Sequence, residues 1–320
     1  NHVVPVEWDT SFAQAILSRP HWGVKTIKEL SGDFIEQVLT DGEVPFYSVE
    51  EATDDLFHDR EEFEEWLDRL QKKKNIILQG PPGVGKTYVS KKLAYALLGE
   101  KVKSRVKMVQ LHQSYTYEDF IRGYRPEPDG GFRLRDGVFF KFCRAAKKDP
   151  ENDYVFIIDE INRGNLSKIF GELMMLIERD KRGPEEAVPL AYQREEADPF
   201  GTQFYVPENL YLIGMMNTAD RSLAMVDYAL RRRFAFINME PRFGSDTFKE
   251  HLLNSGASEE LVERVRANLR QLNDTIGSDE DLGEGFKIGH SYFCPDADER
   301  PDEGWYQKVV DREIAPLLKE

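Results

Sequence analysis

The chain has 320 residues, 40% of them hydrophobic and 32% charged, and its 43 basic against 58 acidic side chains give a formal net charge of −15. That length allows two or three domains and a sizeable core. No apolar run approaches the roughly 18–20 residues of a membrane span, and the acidic balance argues against a surface devoted wholly to nucleic acid, though not against a local basic patch. Cys143 and Cys294 form neither a disulfide framework nor a metal-ligand spacing, so a reducing, cytoplasmic setting is expected. No signal peptide is visible. The sequence starts at Asn1 rather than Met, and 313–320 reads as a helix cut in progress, so further domains at either end are expected.

Residues 1–70 read as an N-terminal helical segment and linker. Short amphipathic pieces at 12–17 and 35–39 are broken by Pro20, Gly32 and Gly42. Residues 50–68 carry ten acids against one base, Arg60, with Phe63, Trp66, Leu67 and Leu70 at helical spacing. This predicts an amphipathic helix with an acidic outer face. Docking onto a basic neighbour is the sharper alternative.

A nucleotide-binding core is expected over 71–240. The apolar run 75–79 feeds Gly80-Pro81-Pro82-Gly83-Val84-Gly85-Lys86-Thr87, and Tyr88 continues into a helical pattern to 98. Strand, glycine-rich turn and helix are the context of a P-loop. The glycines let several backbone N–H groups point inward, and the helix N-terminus adds its positive end, so phosphate is the fitting ligand. Lys86 would reach the β- and γ-phosphates and Thr87 would place its hydroxyl on Mg²⁺. A second strand is predicted at 106–111. A hairpin follows around Asp129-Gly130-Gly131, on which Arg133 and Arg135 are either solvated charges or functional ones, and then a helix at 138–147.

Residues 154–160 form a continuous apolar strand ending in Asp159 and Glu160, 73 residues beyond Lys86. Such strands are buried on both faces of a parallel sheet, and ligands gather at their carboxyl ends. Asp159 would hold Mg²⁺ and Glu160 would act as general base on the attacking water. A helix is predicted over 162–178, with Met174 and Met175 as core residues, and a second hairpin over 188–207 with its polar tip at 193–201. The strand 210–216 then ends at Asn217-Thr218-Ala219-Asp220. Asn217 suits the hydrolytic water or the γ-phosphate; capping of a helix start by Asn217 or Thr218 is the structural alternative, and the two are compatible. A helix over 223–230 ends in Arg231-Arg232-Arg233, a candidate arginine finger, and a last core strand covers 235–239. Residues 241–320 read as a small helical lid, in which His290 and Ser291 are candidates to face the nucleotide.

These stretches together (GPPGVGKT, FIIDEINRGNLSKIFGELMMLIE, NLYLIGMMNTADRSL and VDYALRRRF) resemble the AAA+ module of the McrB family, the nucleotide-hydrolysing subunits of modification-dependent restriction endonucleases. The similarity runs from about residue 75 to 293 and includes VQLHQSYTYEDFIRGYRP and KIGHSYF, which are not general P-loop features. The resemblance implies an α/β AAA+ fold: a parallel sheet flanked by helices, with β-hairpin insertions and a helical lid. It further implies hexameric rings with nucleotide between subunits, a preference for GTP over ATP, a McrC-like nuclease partner that stimulates hydrolysis, and DNA read by a separate N-terminal domain. By the same resemblance Lys86 and Thr87 take phosphate and Mg²⁺, Asp159 and Glu160 serve metal and water, Asn217 is the sensor, and Arg232 with Arg233 act on a neighbouring subunit, Arg231 being the alternative.

The leading expectation is therefore Mg²⁺-dependent GTP hydrolysis in a ring that drives DNA translocation for a nuclease. An ATP-driven remodeller of the MoxR or dynein-related type is the second reading. A nucleotide-gated assembly module with little turnover is the third, against which the paired Asp159 and Glu160 argue. A small-molecule P-loop kinase would leave the arginine triplet, Asn217 and the lid without a role.

Overall fold

The computed structural model describes residues 46–193, 200, 203–220 and 228–318. The expected amphipathic pieces within 1–45, most of the second hairpin's tip and the start of the helix at 223–230 lie outside the described residues.

The acidic stretch forms two helices rather than one. Helix α1 (Val49–Thr53) is capped by Ser48, whose hydroxyl accepts from the Glu51 amide. Helix α2 (Arg60–Lys73) buries Phe63, Trp66, Leu67 and Leu70, as their spacing predicts. Its outer charges pair at i,i+4 as Arg60–Glu64, Arg69–Glu65 and Lys72–Asp68. Between the helices Phe57 and His58 turn inward. Lys74, in the left-handed region at φ 67°, ends α2 and passes the chain into β1 (Asn75–Gly80).

Helix α3 (Lys86–Leu98), β2 (Val106–Gln110) and the single turn α4 (Tyr117–Phe120) follow. The hairpin predicted around Asp129 is β3 (Arg122–Pro126) with β4 (Phe132–Asp136). Helix α5 (Val138–Lys148) and β5 (Tyr154–Asp159) come next. The long helix expected at 162–178 is broken into a short turn, α6 (Leu166–Phe170) and α7 (Leu173–Leu176). Asn165 starts α6 by accepting from the Lys168 amide, and Gly171 stops it with φ 52° and ψ −128°, a conformation that glycine alone adopts freely. Among the described residues of the second hairpin, an antiparallel bridge joins Val188 to Phe204. Strand β6 (Leu210–Asn217), α8 (Tyr228–Arg233) and β7 (Ala235–Asn238) complete the core.

The sheet order is β2-β5-β6-β1-β7, with every pair parallel. Successive side chains leave a strand on opposite faces. Ile77, Phe156, Ile158 and Leu212 accordingly join the α5 side, where Phe139, Phe140 and Phe142 lie. Ile76, Leu78, Val155, Ile157 and Ile213 join the α2 and α3 side. Burial of each such side chain stabilises the fold by about 1.5–3 kcal/mol, which pins the strand ends where the candidate chemistry sits.

The segment beyond β7 has its own core. Helices α9 (Asp246–Asn254) and α10 (Glu259–Ser278) are capped by Ser245 and Ser258. Helix α11 (Glu303–Val309) continues through one wide turn into α12 (Ala315–Leu317). Phe248, Leu252, Val262, Val265, Phe293 and Trp305 pack together there.

Candidate active site

Strand β1 lies between β6 and β7, so the loop after Gly80 opens at the carboxyl edge of the sheet beside the tip of β6, where Gly80 stands opposite Asn217. Val84, 1% exposed, plugs the loop into the core. Gly83 and Gly85 sit at φ 78° and 79°, a region that costs an L-residue roughly 1–2 kcal/mol. Lys86 opens α3 and folds back, its Nζ donating to the carbonyls of Gly80 at 2.9 Å and Pro81 at 2.8 Å. Burial lowers its pKa to about 8, against the opposing pull of Glu160, Asp159 and Asp220. Thr87 and Tyr88 are exposed on the first turn of α3, and the Tyr88 hydroxyl donates to the Asp55 carboxylate on the α1–α2 connection.

The tip of β5 supplies the carboxylates. Asp159 Oδ1 accepts from the Glu160 amide at 3.0 Å. Glu160 is held at φ 50°, ψ 46°, a strained position of the kind that clusters at functional sites. Its carboxylate is gripped from both sides. Asn217 Nδ2 donates to Oε1 at 2.9 Å, and Arg163 Nε donates to Oε2 at 3.1 Å. Arg163 also reaches Asp220, Nη2 to Oδ2 at 3.1 Å. Asn217 is the last residue of β6, and its amide is bonded to Glu160. Arg163 was not singled out by sequence; its only signal is its place three residues after Glu160.

The loop before α11 closes over the glycine-rich turn. The Gly289 amide donates to the Pro82 carbonyl at 3.1 Å and the Ser291 amide to the Gly83 carbonyl at 2.8 Å. His290 is 4% exposed; its Nδ1 accepts from the Arg242 amide at 3.0 Å, which leaves the proton on Nε2, the atom facing Gly85. Burial pushes its pKa down to about 3, and the neighbouring His58 and Arg242 add to this. Phe57 stacks edge-on against His290, Phe248 and His251. Arg242 ties the same connection down through Glu62, at 2.6 Å, and His58, at 3.1 Å. Thr218 Oγ1 donates to the Gly285 carbonyl at 3.3 Å. The expected residues of the glycine-rich loop, Asp159, Glu160, Asn217, Asp220, His290 and Ser291 therefore meet at one edge.

The arginines do not join them. Asn75 Nδ2 at the start of β1 donates to the Arg233 carbonyl, so the triplet lies at the amino edge, about 17 Å from Gly80 along six residues of strand. Arg231 and Arg232 are exposed, and Arg233 is 8% exposed. Glu178 Oε1 binds both Arg232, at 3.0 Å, and Arg233, at 2.9 Å. Within this chain Arg233 is buried beside Glu178, while Arg232 keeps an exposed guanidinium.

The oxygen donors present fit Mg²⁺. The Thr87 hydroxyl and the Asp159 carboxylate are hard ligands, and such sites use one or two side chains with phosphate oxygens and water supplying the remainder. Among the described residues no group of three or more His, Cys, Asp or Glu side chains forms an all-protein metal site, and no helix is long and apolar enough to cross a membrane.

Residues 75–234 match the AAA domain (dynein-related subfamily), and residues 264–320 match the McrB alpha-helical lid domain. Among related proteins, the type IV methyl-directed restriction enzyme EcoKMcrB subunit of Escherichia coli (strain K12) is 56% identical over 277 residues, which is 86% of this chain and 59% of that protein. The type II restriction enzyme BsuMI component YdiS of Bacillus subtilis (strain 168) is 23% identical over 283 residues, 77% of this chain and 78% of that protein. The chain thus spans about three fifths of the length of the first relative.

Proposed function

The chain belongs to the AAA domain family, in its dynein-related subfamily, and carries the helical lid of McrB; from that premise we propose that it is the Mg²⁺-dependent, GTP-hydrolysing motor module of a McrBC-like restriction system. It assembles into a hexameric ring, works with a McrC-like nuclease subunit and drives translocation of DNA, which a further domain reads. The observation that carries hydrolysis is the Glu160 carboxylate, clasped by Asn217 and Arg163 next to the Lys86 loop.

In this reading Lys86 leaves the Gly80 and Pro81 carbonyls for the β- and γ-phosphates, and backbone amides of the glycine-rich turn receive the remaining oxygens. Thr87 and Asp159 hold Mg²⁺, which offsets phosphate charge. Glu160 takes the proton of the attacking water as its oxygen bonds to the γ-phosphorus, the bond to the β-phosphate oxygen breaks and nucleoside diphosphate leaves. Asn217 fixes the carboxylate, and Arg163 with Asp220 fixes its far side. Arg232 serves the neighbouring subunit, since about 17 Å of strand separates it from its own loop; Arg231 is exposed beside it. Arg233, paired with Glu178, positions that segment. The protonated Nε2 of His290, Ser291 on Gly83 and Tyr88 on Asp55 line the approach to the nucleotide.

The dynein-related match favours a second reading, an ATP-driven remodeller. Competition between non-hydrolysable GTP and ATP analogues, with Mg²⁺, separates the two. At least tenfold preference for guanine is expected; preference for adenine overturns the GTPase assignment and leaves the hydrolytic site standing.

A further inference from the structure

None of the candidate active-site residues lines the groove beside the β3–β4 hairpin. Its root is fixed: Arg122, 2% exposed, donates through Nε to Asp136 Oδ1 at 2.8 Å and lies over the Phe140 ring at 4.0 Å. Its outer half projects, with Tyr124 52% and Phe132 74% exposed.

The antiparallel register places Arg125 directly opposite Arg133, and the two-residue repeat puts Arg135 on the same face. Like charges directly opposite one another destabilise a strand pair. Glu127 is the carboxylate near Arg133 and Arg135, at 3.4 and 3.6 Å, so one acid faces two exposed guanidiniums. Below this face runs a groove of about 930 Å³, lined also by Lys107 and Lys141. Neither lysine has a carboxylate within ion-pair distance among the described residues. The groove's acids are engaged internally: Asp119 caps α4 and binds Arg125, Glu118 accepts from the Tyr192 hydroxyl, and Asp136 is buried on Arg122. In a chain of net charge −15, this is a cationic face that a polyanion would stabilise.

We propose that the arginine face of this hairpin, with Lys107 and Lys141 across the groove, binds the phosphodiester backbone of DNA. The proposal rests on the reading that the protein works on DNA, and assigns a contact to this chain itself. Guanidinium forks pair two hydrogen bonds to a phosphate.

The test is the salt dependence of binding to a fluorescein-labelled duplex lacking modified bases, read by anisotropy from about 50 to 200 mM salt. Each lost phosphate contact lowers the log–log slope by about 0.9. Arg133→Ala with Arg135→Ala should therefore flatten the slope by about 2, while Arg133→Lys with Arg135→Lys keeps it and both leave basal nucleotide hydrolysis unchanged. Should the hairpin variant fail to fold, Lys107→Ala with Lys141→Ala carries the same expectation. An unchanged slope, no duplex binding by the parent chain, or a loss confined to a polyglutamate probe overturns the proposal. Hydrolysis is scored separately, so a slope change without hydrolysis would defeat the motor reading alone, and normal hydrolysis with an unchanged slope would defeat this one alone.

Discussion

Replacing Gly289 by alanine should uncouple the lid from the glycine-rich loop. A Cβ at this position would lie 2.0 Å from Gly83 C, 2.2 Å from Gly83 O and 2.5 Å from Pro82 O. All three are backbone atoms of a loop whose own conformation is constrained, so no rotamer change relieves the clash. The two segments must separate, and the hydrogen bonds from Gly289 N to Pro82 O and from Ser291 N to Gly83 O are lost with them. At about 0.5–1.5 kcal/mol each, docking weakens by about 1–3 kcal/mol, which is roughly 5- to 150-fold in a linked equilibrium. Because His290 is carried on the same loop, nucleotide affinity should fall by a factor in that range, while the parallel sheet keeps its fold. Titration with a fluorescent nucleotide analogue, alongside urea unfolding, measures both. Affinity within twofold of the parent would refute the claim that lid docking on Pro82 and Gly83 shapes the nucleotide site.

Lys86, with a pKa of about 8 in the free protein, is roughly three quarters neutral at pH 8.5. A bound triphosphate favours the charged amine, so calorimetry in buffers of differing ionisation enthalpy should record proton uptake that grows between about pH 7 and 9; pH-independent linkage would contradict the burial argument. Arg232→Ala should lower hydrolysis by about 10³-fold or more and, mixed with parent subunits, depress activity more steeply than dilution. A linear mixing curve would show that Arg232 does not act across a subunit boundary.

Sequence exposes the parts of this site that end continuous apolar strands. The runs before Gly80, Asp159 and Asn217 are strands buried on both faces, and a polar residue at the end of such a strand can only sit at the sheet edge. The hairpin around Asp129-Gly130-Gly131 is legible for the same local reason, since its turn residues lie between two short runs. What escaped is tertiary. The break at Gly171 depends on a backbone conformation that a helical hydrophobic pattern masks. Arg163 lies three residues from Glu160, but its second contact, to Asp220, is 57 residues away in sequence, and nothing local marks that one. Three adjacent arginines look equivalent in sequence; only the position of Glu178 separates exposed Arg232 from buried Arg233. The docking of Gly289 and Ser291 on the glycine-rich loop is a backbone-to-backbone contact across some 200 residues of chain, carried by no side-chain pattern.

The most direct test of the account is single-turnover hydrolysis by Glu160→Gln, with protein in excess over nucleotide and Mg²⁺ saturating. The amide keeps an oxygen for Asn217 but cannot take a proton, so the chemical step should slow by about 10²- to 10⁴-fold, with nucleotide affinity within a few-fold of the parent. Hydrolysis at the parent rate would contradict the assignment of Glu160 as the base, and with it the central claim that this edge of the sheet is a nucleotide-hydrolysing site.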